Sequence, residues 1–309
     1  MVIVAAGLTP AWQQILSFAR FQPGEVNRAT NAHWIASGKV LNVGSALHHL
    51  GADARTVSLF SGDTGRLMRQ EIDGLGVSTR WIETTAPSRV CTTILDQSTG
   101  ATTELVENSP AITAGELAQF ERAFVEEAQS AEWAVLSGSL PKETPTDIYL
   151  RLMTQTSAKI MLDARGAELQ ACLPRQPFLV KPNREELALT FGQPIFSDAD
   201  LLAAMRQLHQ LGAQRVVVSQ GADELWLWNA AGLSRFRPPT VATVNPIGCG
   251  DCLAAGMAVA FSQGADDVTA VRFGMAAAAE NAGQLLSARL DRGRVAELAS
   301  QVTVLSGPA

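Results

Sequence analysis

Trp133-Ala134-Val135-Leu136, Lys159-Ile160-Met161-Leu162, Phe178-Leu179-Val180 and Arg215-Val216-Val217-Val218 are four short apolar runs, and the residues between them follow helical spacing. Apolar runs this short, bounded by polar stretches, read as strands covered on both faces. Strands that alternate with helices make βαβ units, so the chain is predicted to be an α/β protein with a mostly parallel sheet.

Upstream, Val2 to Gly7 reads as a first buried strand. Val40 to Gly51 places Val43, Leu47 and Leu50 on one helical face and stops on glycine, and a strand at Arg55 to Phe60 and a helix at about Asp63 to Leu75 follow. Downstream, Glu224 to Trp228 and Leu233 to Phe236 read as a late hairpin, and three helices close the chain from Cys249. Two segments fall outside this rhythm. Residues 10–40 include Trp12 to Trp34, read as exposed strands; residues 88–106 hold Arg89 to Leu95 and Ala101 to Val106, a hairpin about Asp96-Gln97-Ser98-Thr99-Gly100. Together they are expected to form a small β lid over the carboxyl ends of the main strands, where open α/β sheets bind ligands. The whole chain, 1–309, reads as one domain carrying that lid.

The 309 residues are 47% hydrophobic and 17% charged, a globular composition. A net charge of −6 argues against nucleic acid as a partner, because phosphate-backbone binding needs a basic patch. The apolar start lacks a basic n-region. The longest apolar run, Cys252 to Phe261, is short of the roughly 20 residues that span a bilayer. The expectation is a soluble cytoplasmic protein without a membrane partner. Cys249 and Cys252 are spaced C-x-x-C, but no second Cys/His pair accompanies them, so neither zinc nor a redox dithiol is favoured.

Chemistry concentrates in Asn245-Pro246-Ile247-Gly248-Cys249-Gly250-Asp251-Cys252, a glycine turn that opens a small-residue helix. The backbone N–H groups of Gly248, Cys249 and Gly250 at a helix N-terminus suit a transferring phosphoryl group. Asp251 in the first turn suits a general base, or equally a helix cap. Gly62-Asp63-Thr64-Gly65 is a second such turn, read as a cap. In Ser37-Gly38-Lys39-Val40-Leu41-Asn42, Gly38 would let a sugar approach the backbone, with Lys39 and Asn42 supplying a cation and an amide. In Lys181-Pro182-Asn183-Arg184-Glu185-Glu186, Asn183 and Glu186 have the spacing of a capping box.

Taken together, these stretches resemble the ribokinase-like (PfkB) sugar kinases. The octet resembles the family's N-T-x-G-A-G-D turn, with Pro246 and Cys249 for the commoner Thr and Ala. Ser37 to Asn42 resembles G-G-K-G-x-N with two glycines changed, Lys181 to Glu186 resembles K-P-N-x-x-E, and Ser219-Gln220-Gly221-Ala222-Asp223 resembles a nucleotide-phosphate loop whose last glycine is Glu224 here. Pro23-Gly24-Glu25-Val26-Asn27-Arg28, Ser137-Gly138-Ser139-Leu140-Pro141 and Leu162-Asp163 point within the family to the 1-phosphofructokinase and tagatose-6-phosphate kinase branch.

The resemblance implies a three-layer αβα core, with ATP and Mg²⁺ at its edge and a phosphorylated sugar under the lid. It implies Asp251 as base, with Gly248, Cys249 and Gly250 as the anion hole. The sugar would contact Gln13, Arg28, Gly38, Lys39, Asn42, Ser139 and Asp251, with Arg89 on its phosphate. The nucleotide would contact Lys181, Asn183, Ser219, Gly221, Ala222, Gly250 and Asn281, and Asn183 and Glu186 would hold the metal through water. Gln13 departs from the family, whose L-N-P-A-x-D has an aspartate there. Fructose 1-phosphate is the first substrate expected, then tagatose 6-phosphate or fructose 6-phosphate. A kinase of an unphosphorylated sugar or nucleoside, or a non-catalytic sensor, is the alternative. Relatives pair their lids, which implies a homodimer.

Overall fold

The computed structural model describes residues 1–306. The first third of the chain forms β1 (Val2–Ala6), β2 (Ala11–Phe18), β3 (Asn31–Ser37), α1 (Lys39–His49), β4 (Asp53–Phe60), α2 (Gly62–Gly74), β5 (Thr79–Glu83), β6 (Arg89–Asp96) and β7 (Ala101–Val106). The middle forms α3 (Ala114–Ala128), β8 (Ala131–Ser137), α4 (Ile148–Thr154), β9 (Lys159–Asp163), α5 (Gly166–Cys172), β10 (Leu179–Val180), α6 (Arg184–Phe191), α7 (Asp198–Gln210) and β11 (Val216–Ser219). The last third forms β12 (Leu225–Asn229), β13 (Gly232–Arg237), α8 (Cys249–Ser262), α9 (Asp267–Ala282), α10 (Arg292–Ala299) and β14 (Thr303–Ser306).

Ten strands make the main sheet, in the order β14-β13-β12-β11-β10-β9-β8-β1-β4-β5. The seven from β11 to β5 run parallel, and β12, β13 and β14 add antiparallel at one edge. The period of two along β1 divides the core. Val4 and Ala6 pack with α3, α4, α5 and α7 on one face, and Ile3 and Ala5 pack with α1, α8, α9 and α10 on the other. Three layers result, as the four apolar runs predict. Both edge strands β5 and β14 lie outside the expected pattern, because an edge strand needs no double-sided apolar run.

A second sheet of four strands, ordered β3-β2-β6-β7, is built from the two segments that break the βαβ rhythm. Its β2 runs parallel to β6, and the other pairs are antiparallel. Met68 and Ile72 of α2 pack against Ala36, Val40 and Leu41, which fastens this sheet to the main body. The expectation that Trp12 to Trp34 forms exposed strands needs correction. Every second residue of β2 is buried, Phe18 is 5% exposed and meets Phe21 at 5.4 Å, and of the aromatics there only Trp34 is exposed.

Candidate active site

The loops that leave the carboxyl ends of the parallel strands converge. Thr9 follows β1, Ser139 follows β8, Asp163 ends β9, Lys181 and Asn183 follow β10, and Gly221 follows β11. They line a cavity of about 1200 Å³, roofed on one side by Gln13, Arg89 and Glu104 of the small sheet. Strand order favours this location, because β1 lies between β8 and β4 and the connections that diverge there open a crevice at the carboxyl ends.

The glycine turn enters the cavity from the antiparallel side. Gly248 caps α8 with φ +84°, a left-handed conformation that a side chain resists, and a Cβ there would also sit 3.1 Å from Ser287. The Cys249 N–H donates to Pro246 O at 3.3 Å and the Asp251 N–H to Gly248 O at 3.1 Å. That leaves the N–H groups of Gly248 and Gly250, both of which line the cavity, without an acceptor among the described residues. Cys249 is thus a weaker anion-hole donor than its sequence position implies: the tight turn uses its N–H internally.

Asp251 is 6% exposed, and its Oδ2 accepts a 2.7 Å hydrogen bond from Asn42 Nδ2. Ser37 Oγ donates in turn to Asn42 Oδ1 at 3.1 Å, so the end of β3 aims the amide. Burial, reinforced by the negative charge of Asp163, pushes the Asp251 carboxyl up to about 7, against the pull of Lys39, Asn42 and Lys181. A carboxylate so poised takes a proton far better than one at the ordinary value near 4.

Two lysines neutralise the floor. Lys39 Nζ lies 3.1 Å from Asp163 Oδ1 and 3.0 Å from Glu186 Oε1, and Lys181 Nζ lies 3.3 Å from Asp163 Oδ2. Burial alone would lower the Lys39 pKa, but Asp163, Glu186 and Asp251 outweigh it and hold it above the ordinary value. Asp163 is also buried, and its two lysines outweigh that burial and keep its pKa low. Asn183 and Glu186 do form the expected capping box on α6: Asn183 Oδ1 accepts from Glu186 N at 2.7 Å and Glu186 Oε2 from Asn183 N at 3.0 Å. Ser219 is brought beside Asn183 by a parallel bridge.

The pfkB family carbohydrate kinase profile matches residues 9–289, most of the chain and all of this site. The chain belongs to the pfkB family of carbohydrate kinases. As such it is an ATP-dependent sugar kinase with the ribokinase-like fold. It is similar to the 1-phosphofructokinase of Borreliella burgdorferi, 28% identical over 279 residues that cover 89% of this chain and 90% of that one. Among solved structures it resembles phosphofructokinase-2 from Escherichia coli in complex with fructose-6-phosphate (24% identity, TM-score 0.85, 97% of this chain and 98% of that chain). It also resembles a Thermotoga maritima chain described as a possible 1-phosphofructokinase (21% identity, TM-score 0.90, 98% and 99%). At these identities the structural likeness speaks for the fold alone.

In this pfkB kinase Gln13, Gly38, Lys39, Asn42, Arg89, Ser139, Lys181, Asn183, Glu186, Ser219, Gly221, Ala222, Gly248, Cys249, Gly250 and Asp251 all line the one cavity. Two expected residues do not. Arg28 is exposed on the β2–β3 connection, away from the cavity of its own chain. Asn281 is wholly buried behind the turn, where its Nδ2 donates to Ile247 O at 2.9 Å and its Oδ1 accepts from Ala288 N at 2.7 Å, and it braces the turn without lining this cavity. Gly38, at φ +90°, also answers a structural need: a Cβ would meet Thr9 O at 2.7 Å and Pro10 Cα at 2.9 Å. Lys39 sits clamped between carboxylates, and Arg89 donates to Thr9 O at 2.9 Å, Glu107 O at 3.1 Å and Pro10 O at 3.3 Å. Glu224, in place of the loop's last glycine, pairs with Arg235 at 2.6 Å. Asp163 belongs at the centre of the site, yet in the sequence it stands only as part of a likeness; its partners lie 18 and 124 residues away.

Proposed function

We propose that this kinase transfers the γ-phosphoryl group of ATP to a hydroxyl of a sugar phosphate, with fructose 1-phosphate as the first candidate and tagatose 6-phosphate or fructose 6-phosphate next. The observation that carries the reading is Asp251, raised to about 7 and aimed by Asn42, beside the unengaged N–H groups of Gly248 and Gly250. The sugar hydroxyl would give its proton to Asp251 Oδ as its oxygen attacks the γ-phosphorus. The bond to the β–γ bridging oxygen breaks, and ADP leaves with the electron pair. Gly248 and Gly250 would hold the charge of the transferring group, so that catalysis is mainly positioning and electrostatics. The 1-phosphofructokinase likeness supports the choice of substrate.

Lys181, Ser219, Gly221 and Ala222 would receive the nucleotide phosphates at the β10 and β11 ends of the cavity. The oxygen donors there, with Glu186 and Asp163 in reach of one ammonium, suit a magnesium ion that keeps several waters. Asn183 and Glu186 would hold it through those waters, and it would neutralise charge on the triphosphate. The chain is proposed to work as one domain, with the small sheet acting as a lid over the sugar.

A second reading, a kinase of an unphosphorylated sugar or nucleoside, draws on Arg89, whose guanidinium already serves three backbone carbonyls. Two of its five N–H donors remain for a phosphate. ADP release on matched phosphorylated and free sugars separates the two readings. Turnover on fructose 1-phosphate at least tenfold above that on fructose supports the first, and equal or reversed rates overturn it.

A further inference from the structure

Gln13, Thr93 and Glu104 form a row across the inner face of the small sheet. Glu104 on β7 stands directly opposite Thr93 on β6, and the Thr93 hydroxyl accepts a 2.7 Å hydrogen bond from Gln13 Nε2. Gln13 and Glu104 both line the cavity. The donor end of the Gln13 amide is thereby engaged within the sheet, and its carbonyl oxygen is left as a neutral acceptor. Glu104 differs. Its carboxylate has no hydrogen-bond partner among the described residues; burial pushes its pKa up, and the Arg89 guanidinium is the one charge acting to bring it down.

Glu104 is exposed on the cavity wall, so water serves its acceptor sites until a ligand that carries donors displaces it. A phosphate beside it would be repelled, whereas sugar hydroxyls would each donate to it. Arg89, at the start of β6, is four residues from Thr93, about 13 Å along the strand. The roof therefore presents a cation at one end, a carboxylate at the other and the Gln13 carbonyl between them. That pattern is complementary to a molecule with one phosphate and a run of hydroxyls.

Resting on the sugar-phosphate reading above, we infer that Glu104 is a specificity-determining residue that binds one or two hydroxyls of the sugar at the end remote from its phosphate. It orients the sugar under the small sheet and leaves the phosphoryl transfer to the floor.

The test uses the full chain with Glu104→Gln, which keeps the shape and removes the charge, and Glu104→Ala, each first checked by thermal melting. The expected result is that KM for fructose 1-phosphate rises about 10- to 100-fold, the loss of a hydrogen bond to a charged group, while kcat changes less than threefold and KM for ATP is unchanged. Isothermal titration of fructose 1-phosphate into the protein without ATP should show the same weakening of binding. A series of deoxy sugar phosphates locates the contact. The parent loses a similar factor on one of them, and Glu104→Gln loses nothing further on that one. A folded Glu104→Gln protein whose sugar KM stays within twofold of the parent overturns the proposal and leaves the kinase reading standing. A parent protein that turns over no sugar phosphate overturns both.

Discussion

Asp251 is a buried carboxylate whose pKa is lifted to about 7, chiefly by burial and next by Asp163. As the proposed base it must be ionised. kcat/KM should therefore rise as pH rises through about 7 and level off above it, read from a pH–rate profile corrected for the ionisation of the sugar phosphate. Asp251→Asn should lower kcat by about two to four powers of ten and flatten that limb, while leaving ATP binding intact. The same shift fixes a stability effect. Below the unfolded value near 4 the group is neutral in both states, and between that value and about 7 the folded state holds the extra proton. Stability thus falls as pH rises from about 4 to about 7 and levels off above that, by on the order of 4 kcal/mol in all at roughly 1.4 kcal/mol per unit. Asp251→Asn should accordingly melt higher than the parent at pH 8.5, with the difference shrinking at pH 5. An identical pH profile in both proteins would mean that Asp251 is not the base and serves only to hold Asn42.

Arg89→Lys probes the opposite end of the sugar site. The lysine keeps the charge but loses the fork that reaches Thr9 O, Pro10 O and Glu107 O together. The expected cost is about 1.5–3 kcal/mol in kcat/KM for the sugar phosphate, with KM for ATP unchanged, measured by steady-state kinetics. Unchanged use of the sugar phosphate would remove Arg89 from substrate binding.

Among the elements, the connection between α9 and α10 holds the parts of the site in register. Asn245 Nδ2 donates to Leu285 O at 2.9 Å and Ser287 Oγ to Ile247 O at 2.9 Å, which braces the glycine turn. Leu285 and Leu286 pack on Ile15, Ile35 and Leu95 of the small sheet. Arg289 then pairs with Glu71 of α2, whose other oxygen accepts the Ala36 N–H just before Ser37 and Gly38. One strap therefore touches the turn that carries Asp251 and the strand end that leads to Asn42. Arg289→Met should lower kcat about tenfold and Tm by a few degrees, with KM for ATP little changed; a lower Tm with full kcat would show the strap to be structural only. None of this is legible locally, since Arg289 and Glu71 lie 218 residues apart. What was legible has local causes: the double-sided apolar runs of β8 to β11, the box of Asn183 and Glu186, and the glycine turn at 248–250. Lys39 shows the limit, for its spacing reveals a site residue but not the two carboxylates that clamp it.

At the scale of the molecule, the small sheet hangs from one edge of a three-layer body and shows Trp34 at 43% and Leu105 at 55% exposure. Trp34 stacks on Trp12 at 5.9 Å, so the exposed ring belongs to a fixed apolar surface. Sheets managed this way commonly meet a second copy across a two-fold axis, and a homodimer through this face is expected. Sedimentation equilibrium at micromolar concentration should give twice the monomer mass, and Trp34→Glu should halve it; an active monomeric parent would contradict the dimer. No helix among the described residues is long and apolar enough to cross a membrane.

The central claim, transfer of the ATP γ-phosphoryl group to a sugar phosphate with Asp251 as the base, is tested most directly by following fructose 1-phosphate, ATP and magnesium with the purified protein by ³¹P NMR. The account predicts that the γ resonance of ATP is replaced by ADP and a second sugar phosphomonoester in equal amounts, and that Asp251→Asn slows this at least 100-fold. ADP appearing with inorganic phosphate instead, or the same rate from the Asp251→Asn protein, would contradict it.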